Sequence, residues 1–291
     1  MIAKSIKTVR SIKDLRKNVT TWRGAGDNIA LVPTMGALHD GHIALVRRAL
    51  KAADRVVVSI FVNPAQFAAH EDLSRYPRDE AGDLAKLTTA GADLVWMPSV
   101  GVMYPGGFAT HVEPAGAALG LEGDVRPHHF GGVATVVAKL FHQVTPDTAV
   151  FGEKDYQQLC VIRQLARDLD INVKIIGLPT VREKDGLARS SRNRYLSEIE
   201  RRKAPALFGT LTSLAVEIAD SRAKLTPAKI DGLCEAATKG LIAEGFAKVD
   251  YVAVRDAETL GAFNPKSGRP GRVLAAAWLG TTRLIDNVAV A

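Results

Sequence analysis

A chain of 291 residues with 47% hydrophobic content carries enough apolar surface for a full core, divided over two domains. No apolar run approaches the roughly eighteen residues of a membrane span, and no basic-then-apolar leader follows Met1, which points to the cytoplasm. The net charge of +7 is dispersed and only 6% of the chain is aromatic, which argues against a nucleic-acid surface and for a field that draws in small anionic substrates.

Strand-like runs at 29–32, 55–62, 92–97, 148–151 and 173–178 alternate with helical patterns near 41–53, 78–90, 131–145 and 154–169. The alternation predicts parallel strands joined by right-handed crossover helices, an α/β, Rossmann-like, doubly wound sheet. Ligands of such a sheet sit outside the carboxyl ends of its strands. The GxGxxG fingerprint is absent after the first strand, so a dinucleotide is not expected. Beyond Val181 the pattern changes to helices near 197–220 and 226–244, then strands near 249–255, 272–279 and 282–288. This divides the chain into residues 1–181 and a smaller C-terminal α+β domain, 182–291. Cys160 and Cys234 fall within predicted helices among apolar neighbours and read as buried, reduced thiols.

The segment Pro33 to His42, PTMGALHDGH, stands where the apolar run Ile29 to Val32 gives way to a helical pattern opening near Asp40 or Gly41. Asp40 is expected to cap that helix. A helix start presents unpaired N–H groups and the positive end of the peptide dipoles, and Gly36 and Gly41 allow close approach of a phosphate. His39 and His42, three apart, can donate to phosphate oxygens as charge moves. An isolated pair of histidines reads as one cap and one core residue; the complete decapeptide favours the anion site. Zinc is not expected, because no third ligand follows at metal spacing.

Four further segments fall at strand ends or loops. In FVNPAQF (Phe61–Phe67) a strand ends in two amides, Asn63 and Gln66, which suit the hydroxyls or carboxylate of a small polar ligand; turn capping is the plainer role. Arg126 to Gly132, RPHHFGG, precedes an apolar helix; adjacent His128 and His129 point different ways, so packing against a ligand loop is preferred to a metal. Phe151 to Gln158, FGEKDYQQ, places Lys154 and Asp155 at a helix start, where lysine can neutralise phosphate and Gln158 follows a turn later. Asp185 to Arg194, DGLARSSRNR, has the composition of a mobile phosphate-clamping loop, or else of a basic surface loop.

Together these segments resemble the pantothenate synthetase (pantoate–β-alanine ligase) family, in order and along essentially the whole chain. PTMGALHDGH is similar to that family's version of the HIGH signature of nucleotidylyltransferases and class I aminoacyl-tRNA synthetases. FVNPAQF, YPR (Tyr76–Arg78), HHFGGV, FGEKDYQQL and SSRNRYLS are similar to its other hallmarks, with SSRN standing where the superfamily has KMSKS. The resemblance implies ATP-dependent ligation of (R)-pantoate to β-alanine through pantoyl adenylate, with Mg²⁺ accompanying ATP, in a cytoplasmic homodimer whose C-terminal domain serves as lid.

By the same resemblance, Met35, Gly36, Ala37, Leu38, His39, Asp40, Gly41 and His42 contact ATP, with His42 the catalytic histidine and His39 assisting. Gly152, Glu153, Lys154 and Asp155 hold ATP with Lys154 on its phosphates, and the Val181 backbone touches adenine. Arg189, Ser190, Ser191 and Arg192 close over the triphosphate, the last three with catalytic roles. Gln66 and Gln158 bind pantoate, with Asn63 and His129 as further contacts. Where relatives carry an acidic pair after YPR this chain has Gly82-Asp83, leaving Asp83 as the protein's Mg²⁺ ligand, or water in its place. Position 189, often methionine or leucine in relatives, is arginine here. Two rivals stay open: a HIGH-type nucleotidyltransferase acting on a phosphorylated acceptor, and a basic nucleotide- or RNA-binding protein without catalysis.

Overall fold

The computed structural model describes residues 6–68, 71 and 73–290. In chain order these form β1 (Lys7–Val9), α1 (Ile12–Gly24), β2 (Ile29–Thr34), α2 (Asp40–Leu50), β3 (Arg55–Ile60), α3 (Glu80–Ala90), β4 (Leu94–Trp96), α4 (Val100–Met103), α5 (Glu122–Val125), α6 (His129–Val144), β5 (Thr148–Gly152), α7 (Tyr156–Asp168) and β6 (Lys174–Leu178). The remainder folds as α8 (Glu198–Lys203), α9 (Ala206–Ser221), α10 (Pro227–Ala243), β7 (Lys248–Asp256), β8 (Gly271–Leu279) and β9 (Thr282–Val290).

The first six strands are parallel and lie in the order β1-β4-β3-β2-β5-β6. The order reverses between β2 and β5, so the turns leaving those two strands open onto one crevice, the place where a doubly wound sheet binds ligands. Both strands are apolar along their length because helices cover both faces: Ile29 to Val32, Ala149 and Val150 are fully buried. One face packs with α1 and α6 around Leu15, Phe141 and Trp96, the other with α2 and α3 around Val46 and Leu87.

The C-terminal part is an antiparallel sheet, β7-β8-β9, backed by α9 and α10 around Leu211, Ile218 and Ala275. Leu260 and Leu274 from this part share a third cluster with Tyr156, Cys160 and Val161 of α7, which ties the sheets together. Cys160 is buried there, Cys234 is half-buried, and neither is in a disulfide.

Several expectations shift. β1 and α1 lie outside the predicted pattern; β1 has only three residues, and α1 buries a stripe of just Leu15 and Val19, too thin to read from spacing. The single helix expected over 197–220 is two, because Pro205 has no N–H to continue α8 and instead starts α9. Among the described residues no helix is long and apolar enough to cross a membrane.

Candidate active site

The turn after β2 is a small piece of tightly specified backbone. Gly36 and Ala37 have positive φ (82° and 50°), which aims consecutive N–H groups inward. The Asp83 carboxylate of α3 takes two of them, from Ala37 at 2.8 Å and Leu38 at 2.7 Å, while Lys86 donates to the Leu38 carbonyl at 2.8 Å. Asp83 is fully buried, and burial raises its pKa against the opposing pull of those two N–H groups. The expected Mg²⁺ ligand is thus a loop anchor with both oxygens engaged. Gly82 fits the same design, lying under the Asp79 carboxylate that caps α3 at 2.9 Å.

The cap of α2 is His39, not the expected Asp40, which is already helical. His39 Nδ1 accepts the Gly41 N–H at 3.1 Å, and His42 Nδ1 accepts the His39 N–H at 3.3 Å. This is a capping box with imidazoles in place of the usual hydroxyl and carboxylate. A side chain at Gly41 would run into the His39 ring. Since both Nδ1 atoms accept, each neutral ring carries its proton on Nε2, and both residues line the cavity. Burial, with Lys154 and Arg189 nearby, lowers the His39 pKa to about 4; burial, with His39 and Lys154, lowers that of His42 to about 3. Both are neutral donors near pH 7. Both imidazoles cap through Nδ1, which leaves each Nε2–H for another partner.

Asp40, exposed, pairs with Arg189 at 2.5 Å, and Arg189 also reaches Glu183 at 3.1 Å. Arg189 therefore links the turn of residues 33–42 to the segment of residues 181–192, which answers what an arginine does at this position. Its N–H bonds the Val181 carbonyl at 2.9 Å, folding 181–189 into a strap. Ser190 caps the following turn by accepting the Arg192 N–H at 3.2 Å. The buried Ser191 hydroxyl meets the Tyr76 hydroxyl at 3.4 Å, which explains the tyrosine of YPR.

The second end of the crevice is built from amides on an apolar floor. Asn63 is fully buried: its amide donates to Gln66 Oε1 and to the Gly132 carbonyl, both at 3.1 Å, and its carbonyl accepts from Tyr104 at 2.7 Å. It orients Gln66. His129 Nδ1 donates to the Gln66 carbonyl at 3.0 Å, leaving Nε2 as an acceptor; burial and Arg126 lower its pKa to about 4. A Cβ at Gly132 would overlap the Ala65 carbonyl, so the second glycine of HHFGGV exists to let α6 touch the FVNPAQF turn.

One cavity of about 770 Å³ contains both ends. It is lined by Met35, Gly41, both histidines, Gly152, Lys154, Asp155, Val181 and Arg189 to Arg192, and by Asn63, Gln66, His129 and Gln158 over Phe61, Val133, Val136, Val137 and Leu140. Gly36, Ala37 and Leu38 lie behind its wall, and Glu153 turns away to Arg272 at 3.1 Å. The wall contributed by the C-terminal sheet is missing from the sequence reading. There Arg283 grips the buried Glu122 with two N–H groups at 2.8 and 2.7 Å and donates to Asp250 at 2.7 Å. Burial alone would raise the Glu122 carboxyl, but the Arg283 fork outweighs it and holds it below the usual range. Only the composition of RLID at 283–286 hints at this; the Glu122 partner is more than a hundred residues away.

The sequence profile of the family described as pantoate-β-alanine ligase matches residues 7–289. The chain is 55% identical over 284 residues to the pantothenate synthetase of Mesorhizobium japonicum, with 98% of each chain covered. It is 52% identical over 287 residues to that of Rhodospirillum rubrum, covering 99% of this chain and all of the other. A crystal structure of pantothenate synthetase from Thermus thermophilus superposes with a TM-score of 0.87 at 46% identity, covering 98% of this chain and 99% of that one. A Francisella tularensis pantoate-β-alanine ligase, solved with a β,γ-ATP ligand and β-alanine, gives 0.80 at 34% identity, covering 98% of this chain and 97% of that one. With its switch-point crevice, imidazole pair and amide floor, this chain belongs to the pantoate–β-alanine ligase family.

Proposed function

We infer that the chain condenses (R)-pantoate with β-alanine at the expense of ATP, yielding pantothenate, AMP and pyrophosphate through a pantoyl adenylate. The observation that carries this reading is the single cavity whose one end offers neutral imidazole donors and a helix start, and whose other end offers two glutamines above valines. The first end suits a triphosphate. The second suits a small acid with two hydroxyls and a geminal dimethyl group better than a phosphorylated acceptor, which would ask for an unpaired arginine or lysine, whereas Arg126 and Arg283 there are engaged by Glu71 and Glu122.

Both nucleophiles belong to substrates, so the protein's work is placement and charge stabilisation. Pantoate's carboxylate, held by Gln66 and Gln158, attacks the α-phosphorus in line with departing pyrophosphate. His42 and His39 donate Nε2–H to the phosphate oxygens, Lys154 neutralises them, and Ser190, Ser191 and Arg192 follow the leaving group. Asn63 and His129 shape the pantoate end through Gln66, and the Val181 backbone and Asp155 face the nucleoside. β-Alanine's amine then attacks the acyl carbon and AMP leaves.

Among the described residues no three His, Cys, Asp or Glu side chains gather as a metal site, and Asp83 is committed to backbone. The protein does not fit as a Mg²⁺ cage; the ion belongs with ATP's phosphates as part of the substrate. The proposal extends to a cytoplasmic homodimer, with a boundary near Val181 and residues 182–291 acting as the lid.

The test is release of pyrophosphate and AMP from ATP-Mg²⁺ with pantoate alone and then with β-alanine. AMP release that requires both acids is the expected result. ATP left intact by pantoate would sink the reading.

A further inference from the structure

We propose that Asp286 and Asn287, consecutive on β9, brace the two phosphate-handling loops against one another, with Asn287 the positioning residue for Lys154. The proposal rests on Lys154 acting on ATP's phosphates.

Lys154 sits in the 3₁₀ turn Glu153–Asp155, between β5 and α7, where no side chain caps the helix. The carbonyls of Glu153 and Lys154 each accept a hydrogen bond from the Asn287 amide, whose two N–H groups reach them at 2.9 Å. The amide's orientation is itself set, because Asn287 Oδ1 accepts from Arg272 Nε at 2.7 Å. Arg272 is held in turn by Glu153 at 3.1 Å and by the Tyr156 ring, 3.9 Å below its guanidinium. Asn287 is 3% exposed, so each of its polar atoms has this purpose.

The neighbouring residue grips the other loop. Asp286, also buried, takes Arg182 in a two-pronged pair at 2.6 and 2.9 Å, and Arg182 donates to the Gly186 carbonyl at 3.0 Å while lying 3.9 Å over Phe208. That hairpin leads directly into Arg189 to Arg192. Asp286 also accepts the Asn287 N–H at 2.7 Å, and Arg182 donates to the Asn287 carbonyl at 3.3 Å, so the grips are coupled. The lysine turn and the serine–arginine loop come from distant parts of the chain, and this dipeptide sets their separation. A misplacement near 1 Å costs roughly a hundredfold in a positioned reaction.

The experiment measures ATP binding by calorimetry, without pantoate, and pyrophosphate release with pantoate, for wild type, Asn287→Ala, Asn287→Asp, Arg272→Met, Lys154→Ala and the Asn287→Ala/Lys154→Ala double variant. Asn287→Ala and Asn287→Asp are expected to lose about tenfold to a hundredfold in kcat and to weaken ATP several-fold, with pantoate KM within about twofold. In the Lys154→Ala background, Asn287→Ala should change the ATP dissociation constant by less than about twofold. Equal losses in both backgrounds make Asn287 a general structural residue and overturn the proposal. Wild-type behaviour of the Asn287 variants beside an inactive Lys154→Ala overturns the brace alone, whereas an active Lys154→Ala removes the role on which it rests. Should the Asn287 variants fail to fold, Arg272→Met, which frees both the amide and the Glu153 carboxylate, must show the same ATP-specific loss to a smaller degree and exceed the loss in Glu153→Gln, which removes the ion pair and leaves the amide held; if it does not, the brace is wrong.

Discussion

The two loops that meet over the histidine end of the cavity are held in different ways. The turn of residues 33–42 is fixed by a fully buried carboxylate on two backbone N–H groups and by imidazole caps. The strap of residues 181–192 is anchored on the C-terminal sheet by the buried Asp286–Arg182 pair, but it meets that turn through the Arg189–Asp40 pair, in which the aspartate side chain is 72% exposed. Buried, charge-assisted hydrogen bonds are stiff and costly to lose; exposed ion pairs contribute little and break easily. In the proposed reaction the difference suits the tasks assigned to them. A phosphate cradle works best preorganised, whereas a clamp must release products every turnover.

The largest expected effect comes from the rigid side. His42→Ala removes a neutral donor and the partner of the His39 N–H, and should cut pyrophosphate release with pantoate by about a thousandfold. A loss under about tenfold would show the turn to be scaffold only. Asp83→Ala strands two buried N–H groups at about 1–3 kcal/mol each, and should lower the urea midpoint and raise the ATP KM together. Its Mg²⁺ titration midpoint should stay that of the wild type. A shift to higher Mg²⁺ would restore Asp83 as a ligand and break the contrast between the two loops.

A smaller effect separates the loops by pH. His39, His42 and His129 have pKa values lowered to about 4, 3 and 4 from an ordinary 6.5, so the unfolded chain takes up protons first as pH falls. Their contribution is complete above pH 6.5 and declines as pH drops from 6.5 toward 4. Carboxylates held low, such as Glu122, add their losses only nearer their own ordinary value. Urea midpoints at about pH 7, 6 and 5 should therefore fall in wild type and fall less in His129→Gln; a flat profile contradicts the buried neutral histidines. Least of all, Arg189→Met should change the ATP KM by no more than about threefold, a difference that fades in about 0.5 M salt. A tenfold change would mean that the exposed pair joins strap to turn more firmly than its solvation allows.

The parts legible in advance are those whose cause is local. The apolar β2 and β5 and the glycines of PTMGALHDGH report on backbone within a few residues, and they locate the crevice. Asp83 enters as a Mg²⁺ ligand, with water as the alternative, only through the resemblance to relatives that carry acids after YPR; the N–H groups it holds lie 45 and 46 residues upstream. Glu153 falls among the ATP contacts through the resemblance of the whole Gly152–Asp155 segment, yet successive residues of a tight turn face different ways and Arg272 takes its side chain from 119 residues away.

Spacing and residue type thus settle the parallel sheet, the switch-point loops and the pairing of imidazoles with amides, since helix caps, strand burial and close backbone approach are short-range physics. Docking of the C-terminal sheet settles which charged groups are taken up by protein partners. Arg272, Arg283, Asp286 and Asn287 acquire their meaning from partners more than a hundred residues away. A charge's role depends on what desolvates and pairs it, and that is a property of packing.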